Sequence, residues 1–307
     1  MKYIFGPVPS RRPGRSLGID LVPFKTCTYD CIYCQLGRTT LRTVERREWV
    51  PLDAVVAELK GALATRPDYI TLSGSGDPTL YSRLDELIES VHALTDIPVA
   101  VLTNGSLLWQ PEVRRQLHLA DLIVPSLDAG ANSLFQAVNR PHPEITFERM
   151  IEGLTLLRKE YGGAYWLEIF ILDGLTAGLS EVRHIADLAA DIGADRVQLN
   201  TVTRPPAEDF ALGVTRRRME ELAALFRTPA EVIADFPGGH ARPEFEATRD
   251  SVLQMIRRRP CTLEDVADGL GLHRNEAVKY IEDLISVGRI ERLASGGKEY
   301  YAARPQP

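Results

Sequence analysis

Three cysteines sit in one eight-residue stretch, Cys27-Thr28-Tyr29-Asp30-Cys31-Ile32-Tyr33-Cys34, at spacings of four and three. Thiolates are soft ligands that select iron–sulfur clusters, zinc or Cu(I) over hard cations. A loop this short can turn three sulfurs toward one compact group. The fourth cysteine, Cys261, lies more than two hundred residues away, so the local ligand set is three. A closed structural zinc site wants four ligands, and no histidine stands near the loop. A [4Fe–4S] cluster held by three thiolates keeps one iron open to a small molecule. The readings that compete with it are zinc and unrelated surface thiols.

The segments around this loop must position it. Leu17 to Pro23 reads as an apolar strand feeding the cysteines, approached by a Pro- and Gly-bearing turn over Arg11–Gly18. Beyond the loop, apolar runs alternate with amphipathic stretches. Strands are expected at Tyr69–Leu72, Pro98–Leu102, Leu122–Pro125, Trp166–Leu172 and Arg196–Thr201. Helices are expected from Pro51, then over Tyr81–Leu94, Pro111–Leu119, Leu179–Ile192 and Arg216–Leu225, with helical segments running to about Lys159. Six strands alternating with helices make parallel βαβ units, which form either an open sheet or a barrel. Polar clusters close each strand: Gly74-Ser75-Gly76-Asp77, Thr103-Asn104-Gly105, Ser126-Leu127-Asp128 and, late in the chain, Gln198 to Pro206. Gln198 and Asn200 are two apart and share a strand face. Glu168 interrupts an apolar strand, so it points either inward or to solvent.

A Pro/Gly-rich connector over 229–246 (Pro229, Pro237-Gly238-Gly239, Pro243) separates residues 1–228 from residues 247–307. The latter read as three short helices, Ala247–Arg258, Leu263–Leu270 and Arg274–Val287. A hairpin then turns at Ser295-Gly296-Gly297. Thr262 and Asp265 form a capping pair. That order resembles a winged-helix domain. Such domains bind DNA, RNA, peptides or other proteins, or serve as a structural lid; residues 247–307 hold ten Lys/Arg against nine Asp/Glu and only Arg257-Arg258-Arg259 is locally basic.

Composition is that of a globular protein, with 44% hydrophobic and 25% charged residues. No run of about 18 apolar residues exists to span a membrane, and Met1 to Pro7 lacks the apolar core of a signal peptide. Clustered cysteines imply a reducing compartment, so a cytoplasmic location is expected. The net charge of −6 gives no global attraction to nucleic acid. Residues 1–50 nevertheless carry nine Lys/Arg against four acids, either as solvated loops flanking the site or as a basic rim that attracts an anionic substrate or an electron donor.

The C-x3-C-x-aromatic-C spacing, with Tyr33 as the aromatic, resembles the radical S-adenosylmethionine (radical SAM) superfamily. The stretches Gly6–Gly18, Gly74–Thr79 and Thr203–Pro206 are similar to the Fe–S oxidoreductase group related to the wyosine tRNA synthetases. The resemblance implies an α/β fold, a partial (β/α)6 TIM-like barrel with a small C-terminal winged-helix domain. It implies a [4Fe–4S] cluster on Cys27, Cys31 and Cys34, with S-adenosyl-L-methionine (SAM) on the open iron. It implies reductive cleavage of SAM to a 5′-deoxyadenosyl radical that abstracts a substrate hydrogen. A one-electron donor such as flavodoxin or ferredoxin is the implied partner. By position, Tyr33, Gly74, Ser75, Gly76, Asp77, Asn104, Ser126, Asp128, Glu168, Gln198 and Asn200 are the expected cofactor contacts. Asp77 stands where the family commonly carries Glu. Wyosine synthetases carry a second three-cysteine cluster, and one remaining thiol cannot build it, so the resemblance gives the reaction class and not the substrate. The competing reading is an Fe–S redox-sensing transcriptional regulator that uses the winged helix.

Overall fold

The computed structural model describes residues 2–9, 14–234, 249–270, 272 and 274–304. Arg11, Arg12 and Pro13, with Pro237-Gly238-Gly239 and Pro243 of the expected connector, lie outside the described residues. In chain order the elements begin with β1 (Ile4–Pro9), β2 (Arg15–Ile19), β3 (Thr26–Cys27), β4 (Leu41–Arg42) and α1 (Leu52–Ala62). Next come β5 (Tyr69–Leu72), α2 (Leu84–Leu94), β6 (Val99–Thr103), α3 (Pro111–Leu117) and β7 (Leu122–Pro125). The pattern continues through α4 (Asn132–Asn139), α5 (Phe147–Glu160), β8 (Ala164–Ile171), α6 (Leu179–Ile192), β9 (Arg196–Thr201), α7 (Arg216–Ala223) and β10 (Ala230–Val232). The C-terminal part holds α8 (Arg249–Arg258), α9 (Leu263–Gly269), α10 (Arg274–Ser286), β11 (Ile290–Ser295) and β12 (Lys298–Ala303).

The main sheet has eight strands in the order β1-β2-β5-β6-β7-β8-β9-β10. The six expected strands form its parallel centre. Two strands were not anticipated. β1 adds antiparallel to β2 at one edge, and β10 adds parallel to β9 at the other. The prolines in β1 mask its strand character, yet an edge tolerates residues that cannot donate to a ladder. β10 is only three residues long and begins inside the stretch read as connector. The first central strand is also shifted, to Arg15–Ile19, because the chain leaves the sheet before Leu21 to build the cysteine loop.

Alternation along the strands sorts their side chains onto two faces. Val99, Val101, Ile123, Leu167, Ile169, Val197 and Leu199 join the large core shared with α1–α6. The other face carries Ala100, Leu122 and Val124, packed by Leu102 and Trp166. Further along, toward the strands' C-terminal ends, Glu168, Phe170 and Asn200 occupy that same face. Glu168 therefore points inward. The C-terminal elements have their own core, including Val252, Ile256, Val266, Leu270, Ile281 and Tyr301. Thr262 and Asp265 make the expected capping box at α9. Cys261 is fully buried and exchanges backbone hydrogen bonds with Tyr301, apart from the other thiols. No helix among the described residues is long and apolar enough to cross a membrane.

Candidate active site

The cysteine loop is an excursion between β2 and α1, held down from two sides. Ile32 N donates to the Val138 carbonyl at 3.0 Å and His142 N to the Thr28 carbonyl at 2.9 Å, docking the loop on the end of α4. Lys25 N donates to the Ser75 carbonyl at 2.8 Å, and Thr26 bridges Gly76, tying its base to the turn after β5. Within the loop, Cys34 N donates to the Cys31 carbonyl at 3.1 Å. The three thiols are half-buried. Burial pushes all of them up, Cys27 to about 12, so a bound cationic group must supply the charge that turns them into thiolate ligands. Two side-chain amides aim at the sulfurs. Asn104 Nδ2 lies 3.5 Å from Cys27 Sγ, and Asn139 Nδ2 lies 3.5 Å from Cys31 Sγ. Among the described residues no three His, Cys, Asp or Glu side chains converge on a single-ion site. A cuboidal cluster instead takes one thiolate on each of three separate irons, and this donor set fits it.

The turn after β5 has no room for side chains at its glycines. Gly74 has φ +119°, a conformation natural to glycine. A Cβ at Gly76 would land on the Thr26 carbonyl oxygen. Gly76→Ala is therefore expected to push the cysteine loop off the sheet, lowering iron uptake on reconstitution while the C-terminal helices stay folded by circular dichroism.

A cavity of about 390 Å³ opens beside the loop. Its wall includes Tyr33, Cys34, Gly74, Ser126, Asp128, Glu168, Phe170 and Asn200, so six of the residues expected at the cofactor are brought together. Asp128 is the hub. Its carboxylate accepts hydrogen bonds from Tyr33 Oη at 2.5 Å, Asn139 Nδ2 at 2.7 Å and Phe170 N at 3.0 Å. Burial pushes its carboxyl up to about 6 against the pull of those donors. The Tyr33 ring stacks on Phe170 with centroids 4.0 Å apart, which fixes the aromatic of the cysteine motif against β8. Asn200 Nδ2 donates to Glu168 Oε1 at 2.9 Å.

Five other expected contacts are not on that wall. Asp77 accepts from Thr79 N at 2.9 Å, Thr103 Oγ1 at 2.8 Å and Asn104 N at 2.7 Å, and from the Thr79 hydroxyl. Its carboxylate braces two strand ends and is turned to that use. Asn104 serves the cysteine loop, donating also to Thr28 Oγ1 at 2.7 Å. Ser75 and Gly76 are the backbone that carries the loop. Gln198 sits two residues before Asn200 on β9 and donates to Glu231 of β10 at 2.8 Å. Sequence reasoning passed over Asp20, Phe5, Asn139, Phe170 and Arg258. Arg258 and Arg259 line the cavity from the end of α8, and the run of three arginines was their only signal.

Comparison with known proteins bears on the same residues. The family model described as Radical SAM superfamily matches residues 21–200. A Brachyspira hyodysenteriae protein named GTPase Obg is 36% identical over 305 residues, 97% of this chain, which spans 45% of that protein's length. A UPF0026 protein of Methanocaldococcus jannaschii is 31% identical over 313 residues, covering 98% of this chain and 96% of that protein. More distantly, the S-adenosyl-L-methionine-dependent tRNA 4-demethylwyosine synthase of Schizosaccharomyces pombe is 26% identical, over 52% of this chain and 25% of that one. The crystal structure of a radical SAM methyltransferase from Sphaerobacter thermophilus superposes with a TM-score of 0.60 at 17% identity, covering 74% of this chain and 68% of that one. The fold is thus that of the radical SAM partial barrel.

Proposed function

Because the chain belongs to the radical SAM superfamily and aligns over 98% of its length with a UPF0026 protein, we propose that Cys27, Cys31 and Cys34 hold its [4Fe–4S] cluster and that the adjoining cavity receives SAM and substrate. Proteins of this superfamily bind that cluster and SAM, and need an electron donor. One observation carries the assignment: the loop that bears the three thiols borders, through Tyr33 and Cys34, a cavity walled by polar ends of successive parallel strands. When bound, the two groups supply a 5′-deoxyadenosyl radical on one-electron reduction, and this abstracts a substrate hydrogen.

The residues of the chain bind, orient and seal. Gly74 lets a ligand's charged end approach the backbone closely. Tyr33, locked by Phe170 and Asp128, keeps the cysteine loop in one position against the barrel. Glu168 with Asn200, and Ser126 one strand over, offer hydrogen bonds to a ribose or to the substrate. The apolar floor formed by Leu102 and Phe170 excludes water from the reacting centre. The reaction is of the oxidoreductase type, in the cytoplasm, with flavodoxin or ferredoxin as donor. The C-terminal unit, winged-helix-like in element order, contributes to the cavity wall. That placement favours an enzyme over a redox-sensing regulator and makes RNA, DNA or peptide contact by this unit secondary to the site.

Anaerobically reconstituted protein should convert SAM to 5′-deoxyadenosine and methionine under dithionite. Intact cluster without that product counts against the reading. The amide of Asn104 stabilises negative charge on Cys27 Sγ, favouring the reduced cluster. Asn104→Ala should therefore shift the midpoint potential to more negative values, read by potentiometric titration with electron paramagnetic resonance.

A further inference from the structure

The family model ends at residue 200, but the cavity wall does not. Arg258, the last residue of α8, reaches it from the C-terminal unit, with Arg259 beside it. The Arg258 guanidinium pairs through Nη1 with the Asp20 carboxylate, approaches Ser75 Oγ at 3.4 Å, and lies 3.8 Å over the Phe5 ring. Burial pushes it down to about 10. A guanidinium has five N–H donors in a planar fork. Among the described residues, the hydrogen bonds of Arg258 run through Nη1 alone, to Asp20 and Ser75. The remaining donors have no acceptor among the described residues, and the side chain they belong to lines the cavity; a planar guanidinium fork suits a carboxylate or phosphate oxygen pair. Asp20 is itself divided: Oδ1 accepts from Ser75 N at 2.7 Å, and Oδ2 holds Arg258. It thus binds the turn after β5 to the C-terminal unit.

We propose that Arg258, assisted by Arg259, recognises an oxyanion of the substrate, a carboxylate or a phosphate, and that Asp20 occupies the guanidinium until that group arrives. The inference rests on the cavity being the substrate site, and it assigns the C-terminal unit to substrate selection. Phe5 supports the guanidinium with its ring. An incoming oxyanion therefore meets an Arg whose orientation is already set.

The test uses the holoprotein with cluster and SAM, at constant ionic strength, with inorganic phosphate and acetate as separate probes. Binding is read from the saturable rise in thermal midpoint. At least one probe should bind the wild type, phosphate alone pointing to a phosphorylated substrate and acetate alone to a carboxylic one. Arg258→Gln should weaken that binding about tenfold or more, the loss of a charge-assisted hydrogen bond. Asp20→Asn keeps an acceptor for Ser75 N–H and removes the competing charge, so it should tighten anion binding, an effect that a merely structural ion pair would not produce. Equilibrium dialysis with labelled SAM separates this proposal from the reading beneath it. If wild-type protein retains no SAM, the cavity assignment fails whatever the anions do. If SAM is retained but neither probe binds wild type or Asp20→Asn, or binding survives Arg258→Gln, the oxyanion site is overturned. It is equally overturned if Arg258→Gln weakens SAM itself, which would assign the guanidinium to the cofactor's carboxylate.

Discussion

Replacing any one of Cys27, Cys31 or Cys34 by alanine should reduce reconstituted iron to a small fraction of the wild-type content and SAM cleavage to background. If these three are the protein ligands, as proposed, no thiol is spare. Among the described residues the fourth cysteine, Cys261, is buried in the C-terminal core with its sulfur 3.3 Å from the Arg259 carbonyl, so it cannot substitute. Changes to residues that merely orient ligands typically cost 10–100-fold, and loss of a ligand should exceed about a hundredfold. Cys261→Ala is the matched control. It removes a thiol far from the loop and should leave iron content unchanged. Equal iron loss in all four variants would show that general instability is being measured, and unchanged iron in the three loop variants would remove the site altogether.

The second large effect concerns stability. Asp77→Ala would strip the acceptor from Thr79 N, Asn104 N and the hydroxyls of Thr79 and Thr103, in a fully enclosed position. Each buried donor left unsatisfied costs about 1–3 kcal/mol. The two hydroxyls can rotate toward other acceptors, whereas the two backbone N–H groups cannot. A loss of about 3 kcal/mol is expected on that count. Trp49, Trp109 and Trp166 all lie in the barrel, so their fluorescence in urea reports this loss without interference from the C-terminal unit. Asp77→Asn retains one acceptor oxygen and should fall about halfway. A change below about 0.5 kcal/mol, the range of ordinary surface substitutions, would show that this carboxylate braces nothing.

Much of this architecture was legible in the sequence because the periodicities are clean. α6 and β9 lie where the apolar spacing put them, residue for residue. The cysteine spacing pointed to the superfamily through its resemblance to the C-x3-C-x-aromatic-C hallmark, which the family match over residues 21–200 bears out. β1 and β10 were hidden for opposite reasons, one by its prolines and the other by its length. At the site, position at a strand end coincides with the cavity wall where the strand's alternation turned the side chain inward, as at Ser126, Asp128, Glu168 and Asn200. It misled at Asp77, because a short carboxylate beside Thr79 finds its own turn first, as Asp does at helix and turn starts. Asn139 could not be read at all, and Arg258 only as one of three consecutive arginines. Their importance arises from contacts across long sequence separations, Asn139 with Cys31 and Arg258 with Asp20, and no local pattern encodes such pairs.

On the proposed function, one iron of a three-cysteine cluster is left for SAM. Electron–nuclear double resonance on the reduced holoprotein with SAM labelled at its amino nitrogen and carboxylate oxygen tests it most directly. Both labels should show hyperfine coupling to the cluster. Protein that holds a full cluster yet shows no coupling from either label would contradict it.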